Sequence, residues 1–279
     1  PHDMVHREIT HGRGGEETDW LFGGGDSDIL EGGAGDDYAD GGAGSDTVRG
    51  DGGDDVLRGG ANDDTLRGGA GLDQVYGDEG SDFLYGDSGD AAGSLVGQRL
   101  WGGEGIDFLY AYAAVGLNDS QANIQAETGT DRNTGKEGDE LHGGSGGDSL
   151  YGNLRKDLLY GDQGNDTLYG DWLAGPDYAT SDQAALIGAS DLLYGDSGED
   201  QLFGGGGRDT LWGGADSDWL EGQEGRDQLY GGGWIDLLVL DVKPDYLELG
   251  DDIDGHFGNR SIADVPDDRA TDILIIEGT

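Results

Sequence analysis

Gly14-Gly15-Glu16-Glu17-Thr18-Asp19-Trp20-Leu21-Phe22 is followed without a gap by Gly23-Gly24-Gly25-Asp26-Ser27-Asp28-Ile29-Leu30-Glu31, and then by Gly32-Gly33-Ala34-Gly35-Asp36-Asp37-Tyr38-Ala39-Asp40. The blocks align residue for residue at a period of nine. The same register continues to Val239, giving twenty units broken only by three insertions. Glycine dominates positions one, two and four. Aspartate fills position six in nineteen of the twenty units, and an aliphatic residue or alanine fills position eight in all of them.

Positions seven to nine suit a three-residue strand with one apolar side chain at its centre. Alternate side chains of a strand point to opposite faces, so residue eight points inward and its neighbours outward. Six residues rich in glycine and aspartate then turn the chain, with glycine supplying φ > 0 at no side-chain penalty. One unit buries a single apolar residue, too little to fold alone, whereas stacked units share a continuous core. Two units per coil predict an all-β solenoid with one strand of each coil in each of two parallel sheets. At a strand spacing of about 4.8 Å the rod is about 50 Å long.

Composition narrows the chemistry. The 279 residues include 60 glycines, 60 acidic and only 15 basic residues, a formal net charge of -45. Glycine is about threefold above its average usage, yet the every-third-residue spacing of collagen is missing. The charge argues against nucleic acid, whose phosphates need clustered Lys and Arg. No apolar run is long enough for a transmembrane segment. With no cysteine, disulfides and thiolate zinc sites are excluded. Low hydrophobicity with high charge would ordinarily mean disorder. Six Trp, twelve Tyr and the repeat itself point the other way. Something must neutralise the carboxylates.

A turn offering backbone carbonyls and one carboxylate suits a hard cation that takes about six to eight oxygen ligands, which means calcium rather than magnesium or zinc. Turns 18 residues apart share an edge, making neighbours of Asp28 and Asp46, of Asp37 and Asp55, and of Asp64 and Asp82. Such pairs repel unless a cation lies between them. The Gly-Gly-x-Gly-x-Asp-x-aliphatic-x pattern resembles the RTX, or hemolysin-type calcium-binding, repeat family, over roughly 180 residues. The resemblance implies a parallel β-roll, a right-handed β-solenoid of stacked nonapeptide repeats, unfolded without calcium and secreted by a type I exporter. It also implies that each ion lies between stacked turns, held by both aspartates and by carbonyls of each turn. Carried onto this chain, the ligands are Asp19, Asp28, Asp37, Asp46, Asp55, Asp64, Asp73, Asp82, Asp107, Asp139, Asp148, Asp157, Asp166, Asp191, Asp200, Asp209, Asp218, Asp227 and Asp236. In one such site Asp28 acts with the carbonyls of Gly24 and Asp26, and Asp46 with those of Gly41 and Ala43.

The departures from the repeat are informative. Insertions enter at residues 90–96, 111–133 and 173–188, all on one edge when the turns are counted. On that edge Gly152-Asn153-Leu154-Arg155-Lys156-Asp157 also lacks the fourth-position glycine, while the opposite edge stays regular. Function tends to live on loops carried by a rigid scaffold, so the loop-bearing edge is the candidate contact surface. Position nine carries Arg49, Arg58 and Arg67, then Tyr76, Tyr85, Trp101, Tyr110 and further aromatics to Tyr230. These outward ladders either brace each sheet by cross-strand stacking or offer a face to a polysaccharide or another surface protein.

Catalytic motifs dissolve into the repeat. Gly143-Gly144-Ser145-Gly146-Gly147 has nucleophile-elbow spacing, but the repeat already explains its glycines and no histidine is placed to serve Ser145 as a base. The five histidines form no His-Glu-x-x-His zinc motif, so no enzymatic activity is expected. Residues 1–13 read as an N-terminal linker or cap, 14–239 as the roll with its insertions, and 240–279 as a capping β segment with strands at 240–249 and 272–276. Asp272 followed by four hydrophobic residues also resembles a type I secretion signal. The expected function is a calcium-binding segment of a secreted, extracellular or cell-surface protein, folding on calcium after export and serving a structural or adhesive role. Its alternatives are the C-terminal targeting and folding module of a secreted hydrolase, lyase or epimerase, and a polysaccharide-binding module.

Overall fold

A computed structural model describes residues 4–6, 11–87, 98–112, 138–153, 156–171, 190–225, 227–240 and 272–277. Strands are the only regular elements among them, and no helix there is long and apolar enough to cross a membrane. Up to Ile235–Leu240, successive strands alternate between an 11-stranded and a 12-stranded sheet. Neighbours pair in parallel with a shift of one coil, as in Leu21 opposite Ala39 and Ala39 opposite Leu57. Where an insertion intervenes the register resumes unchanged: Leu84 pairs with Leu109, Leu100 with Leu141, and Leu159 with Leu193. The chain is a parallel β-roll.

Most strands are longer than position counting suggests. Tyr38–Ala43 and Thr65–Ala70 run six residues, taking in positions seven to nine of one unit and one to three of the next. The reason is that stacked glycine segments pair from rung to rung as readily as their neighbours. Even the turn proper, positions four to six, is tied to adjacent coils, with the Gly35 N–H donating to the Gly52 carbonyl at 2.7 Å and the Tyr38 N–H to the Asp19 carbonyl at 2.9 Å.

Strand alternation sends positions six, eight and one of consecutive units to the same, inner side. All twenty position-eight residues are buried, none more than 7% exposed, and they stack into one narrow core. Position-one glycine therefore faces inward beside the aspartate. Positions two and four carry the positive φ expected of turn glycines, for example 101° at Gly42 and 132° at Gly44, and they tolerate Asp51 at 73° and Asn62 at 79°. The first glycine is different: it has no positive φ. A Cβ at Gly143 would stand 2.6 Å from Asp148 Oδ2 and 2.7 Å from the Gly161 carbonyl. Its role is to leave room for a carboxylate.

Each end is finished differently. Met4–His6 and Gly12–Arg13 pair in parallel with the first coil of repeats, so the roll begins before Gly14. Asp272–Glu277 lies antiparallel on Ile235–Leu240, covering an edge whose free N–H and C=O groups would invite further pairing. Ala111, a buried core residue, and Tyr112 belong to the strand Phe108–Tyr112, so the insertion expected at 111–133 starts two residues later. The rest of the three insertions, 90–96, 113–133 and 173–188, and residues 241–249, lie outside the described residues.

Candidate metal centre

Stacking places the position-six residues in two ladders, one along each edge of the roll. Each backbone N–H donates to the side chain of the residue one coil on: Asp28 to Asp46 Oδ1 at 2.7 Å, Asp37 to Asp55 Oδ1 at 2.8 Å, and Asp64 to Asp82 Oδ1 at 2.7 Å. The ladder bridges the insertions without a missing rung. Asp82 bonds to Asp107 at 2.8 Å across 25 residues, Asp107 to Asp148 at 2.8 Å across 41, and Asp157 to Asp191 at 2.8 Å across 34. One edge carries Asp28, Asp46, Asp64, Asp82, Asp107, Asp148, Asp166, Asp200, Asp218 and Asp236. The other carries Asp19, Asp37, Asp55, Asp73, Asp139, Asp157, Asp191, Asp209 and Asp227. Seventeen of these nineteen are buried, the half-buried pair being Asp19 and Asp227 at the two ends of one ladder.

The twentieth rung is Gln98, which a count of two residues back from core residue Leu100 identifies in the sequence. Its Oε1 accepts the Asp73 N–H at 2.8 Å, and its own N–H donates to Asp139 Oδ1. All three insertions and the variant turn at 152–157 interrupt this same edge, as the turn count predicts.

Because Oδ1 is used by the ladder, Oδ2 is the atom left for something else. In thirteen rungs, among them Asp46, Asp64, Asp107, Asp148 and Asp200, Oδ2 is buried with no hydrogen-bond partner among the described residues. A buried carboxylate in that condition is costly, and a native fold rarely repeats such a defect without a reason. Burial is the largest cause in every rung whose carboxyl is shifted. It pushes Asp55, Asp64, Asp166, Asp209 and Asp218 up to about 8, Asp73, Asp82 and Asp107 to about 7, and Asp148 and Asp200 to about 6. The donated backbone N–H opposes this shift. Asp157 and Asp191 are raised well above the usual range by burial, with Asp139 next for the first and Asp171 next for the second.

The remaining predicted ligands lie at the same edge. The Gly41 carbonyl and Asp28 Oδ2 both stand closer than 3.0 Å to the point a Gly23 Cβ would occupy, so they flank one place between two coils. The Gly24 and Asp26 carbonyls press equally close on Gly42 and Gly44 of the next coil. Ala43 ends the strand Tyr38–Ala43 and is exposed. No group of three or more His, Cys, Asp or Glu side chains gathers among the described residues. A cation here would thus have at most paired carboxylates and would complete its shell from backbone carbonyls. Such an all-oxygen set fits calcium and offers zinc neither nitrogen nor sulfur.

These shifts have a sign that can be tested. A carboxyl whose folded pKa lies above its unfolded value of 3.8 binds its proton more tightly in the roll. The stability this gives is fully present below the unfolded pKa and is lost as pH rises through about 6 to 8. Calcium-free protein is therefore expected to keep more β-signal in circular dichroism at pH 5 than at pH 8, and calcium added near pH 6 is expected to release protons into a weak buffer. A calcium-free roll that strengthens between pH 5 and pH 8 would contradict this.

Position nine forms aromatic stacks on the outer faces. Tyr76, Trp101, His142, Tyr160, Tyr194, Trp212 and Tyr230 follow one another at centroid separations of 4.4 to 6.1 Å, their ring planes nearly parallel. Tyr85, Tyr110, Tyr151, Tyr169 and Phe203 do the same on the other sheet. The Arg58 and Arg67 guanidiniums lie over Tyr76 and Tyr85, the first rings of the two stacks, at 5.6 and 4.7 Å. Ring faces are turned to each other along the rod and leave edges to solvent, the geometry of cross-strand bracing at about 0.5–1.5 kcal/mol per pair.

A family model, the RTX calcium-binding nonapeptide repeat in four copies, matches residues 13–48, 40–75, 58–90, 134–172, 188–211 and 212–233, more than half of the chain. Comparison with curated proteins finds no match.

Proposed function

The chain belongs to the family of RTX calcium-binding nonapeptide repeats, and from that premise we propose that it is a noncatalytic, calcium-dependent structural segment of a secreted or cell-surface protein. The observation that carries the reading is the row of buried Oδ2 atoms without partners, Asp46, Asp64, Asp107 and Asp148 among them, set beside backbone carbonyls of the adjacent coil. The ligands would be the position-six aspartates with carbonyls such as those of Gly24, Asp26, Gly41 and Ala43. Bound calcium supplies positive charge between carboxylates that otherwise repel, and the roll supplies their spacing.

The setting follows from the concentration of the ion. Weak, carbonyl-rich sites fill where calcium is about 10⁻⁴–10⁻³ M, outside the cell. Inside, the chain would stay open through the mutual repulsion of its carboxylates, a state suited to passage through a type I exporter, and would fold on emergence. An adhesive or spacer role uses the rod as it stands. The edge carrying the insertions is the surface proposed for a protein or polysaccharide partner, because extra residues enter the chain there while the ladder of described residues continues across them. The aromatic stacks support a bracing role better than sugar binding, which needs open ring faces.

The test is a binding titration on metal-stripped protein at neutral pH. Calcium at millimolar concentration is expected to bind at several sites per chain and to induce parallel β-structure, while magnesium at the same concentration induces none. Equal responses to the two ions would remove the calcium reading.

A further inference from the structure

The two ladders are not built alike. On the uninterrupted edge, Oδ2 of Asp46, Asp64, Asp82, Asp107, Asp148 and Asp166 is buried without a partner. On the other edge Asp73 and Asp191 are the same, but the rungs between them break the rule. There Asn153 occupies position two of its unit, where glycine is usual, and it is fully buried. Its Nδ2 donates to Asp139 Oδ2 at 2.5 Å, and its backbone N–H donates to Asp157 Oδ2 at 2.5 Å. The Asn153 side chain thus holds the Asp139 oxygen that would otherwise face a cation, while the Asp157 oxygen is held by a backbone N–H that glycine or alanine would also carry.

Gln98 makes a related substitution two coils earlier. Its Oε1 takes over the ladder bond of an aspartate Oδ1, accepting the Asp73 N–H at 2.8 Å. Where an aspartate would present Oδ2, the amide presents an N–H₂ group, and Nε2 donates to the Gly71 carbonyl at 2.7 Å. Gly71 holds position four of its turn, as Asp26 does in the site described above. The interval between Asp73 and Gln98 therefore has one carboxylate in place of two, with a donor aimed at one of its carbonyls. An amide N–H brings partial positive charge to an oxygen but cannot share that oxygen with calcium along the same direction.

We propose that Asn153 and Gln98 replace calcium in these two intervals, so that the loop-bearing edge binds ions towards its two ends and is held in its middle by the protein's own amides. The proposal rests on the calcium reading and deepens it: these two side chains decide which intervals take an ion. It also gives the insertions a base that does not depend on metal, because two of the three precede Gln98 and Asp139 in the sequence.

The experiment is an ion count by native mass spectrometry at saturating calcium, on the intact chain and on Asn153→Gly, Gln98→Asp and the double variant. Each single variant is expected to bind one ion more than the parent, and the double variant two more. The rise of melting temperature with the logarithm of calcium concentration should steepen in step, since each added ion adds to the linkage. If Asn153→Gly does not fold, Asn153→Ala removes the same amide with less backbone freedom and carries the same expectation. A parent that binds calcium while the variants gain no ion overturns the proposal and leaves the calcium reading standing. A parent that binds no calcium overturns the calcium reading itself.

Discussion

Stripping calcium from this chain is expected to abolish most of its β-sheet signal, and returning it to the millimolar range is expected to restore that signal in one cooperative step. The reason lies in how little apolar surface each coil buries. Every unit contributes one buried apolar side chain at position eight, from Leu21 to Leu238, and two of the smaller ones are Ala39 and Val48, with only Ala111 and Val239 added to them among the described residues. Against this stands the conformational entropy of nine ordered residues, many of them glycines that lose the most freedom on folding. The metal-free roll also carries thirteen buried carboxylate oxygens with no hydrogen-bond partner among the described residues, stacked one above another along the edges. Calcium reverses both liabilities. An ion present at about a hundred times its dissociation constant adds about 2.7 kcal/mol to the folded state, and several ions act together on one stack. Circular dichroism and thermal melting with and without a chelator check this. A chelated chain with full β-signal and an unchanged melting temperature would remove calcium from the folding of the roll.

Much of this is legible in the sequence because the repeat is one-dimensional. A period of nine with a single apolar position permits little besides stacked strands, and the spacing of 18 between same-edge turns follows from two units per coil. The pairing of Asp28 with Asp46 and the confinement of the insertions to one edge come from the same count. Strand length is less legible. Glycines look like turn residues, yet positions one to three join the sheets because they lie on equivalent segments of neighbouring coils. The position-one glycine misleads for a related reason. Counted as one of several residues needing φ > 0, it proves to be an inward position kept empty for Asp Oδ2, which strand alternation from the core residue could have revealed. Asn153 is the hardest to see. It stands among exposed-looking turn residues, and only the path of the backbone sends its amide between Asp139 and Asp157.

Gly143→Ala separates space from conformation as the reason for a glycine. Gly143 has no positive φ, so alanine incurs no dihedral penalty there. Its Cβ, however, would stand 2.6 Å from Asp148 Oδ2, 2.7 Å from the Gly161 carbonyl and 3.0 Å from Asp148 Cβ. Neither the carbonyl nor the carboxylate can withdraw far, because both belong to the hydrogen-bonded stack and Asp148 accepts the Asp107 N–H through Oδ1. Overpacking of this kind costs about 1–3 kcal/mol. Displacing Asp148 Oδ2 also removes a ligand from the uninterrupted edge, with a further loss of about 2.7 kcal/mol where that ion is well saturated. The expected result is one ion fewer and about 4–6 kcal/mol less stability in calcium. Gly25→Ala supplies the comparison. Gly25 is also a repeat glycine without positive φ, but nothing stands within 4 Å of the point its Cβ would occupy. Replacing it should leave the ion count unchanged and move stability by less than about 1 kcal/mol, upward if the reduced freedom of the unfolded chain dominates. Equal effects of the two substitutions on melting and ion count would mean that the inward face of the first glycine is not where the carboxylate needs its room.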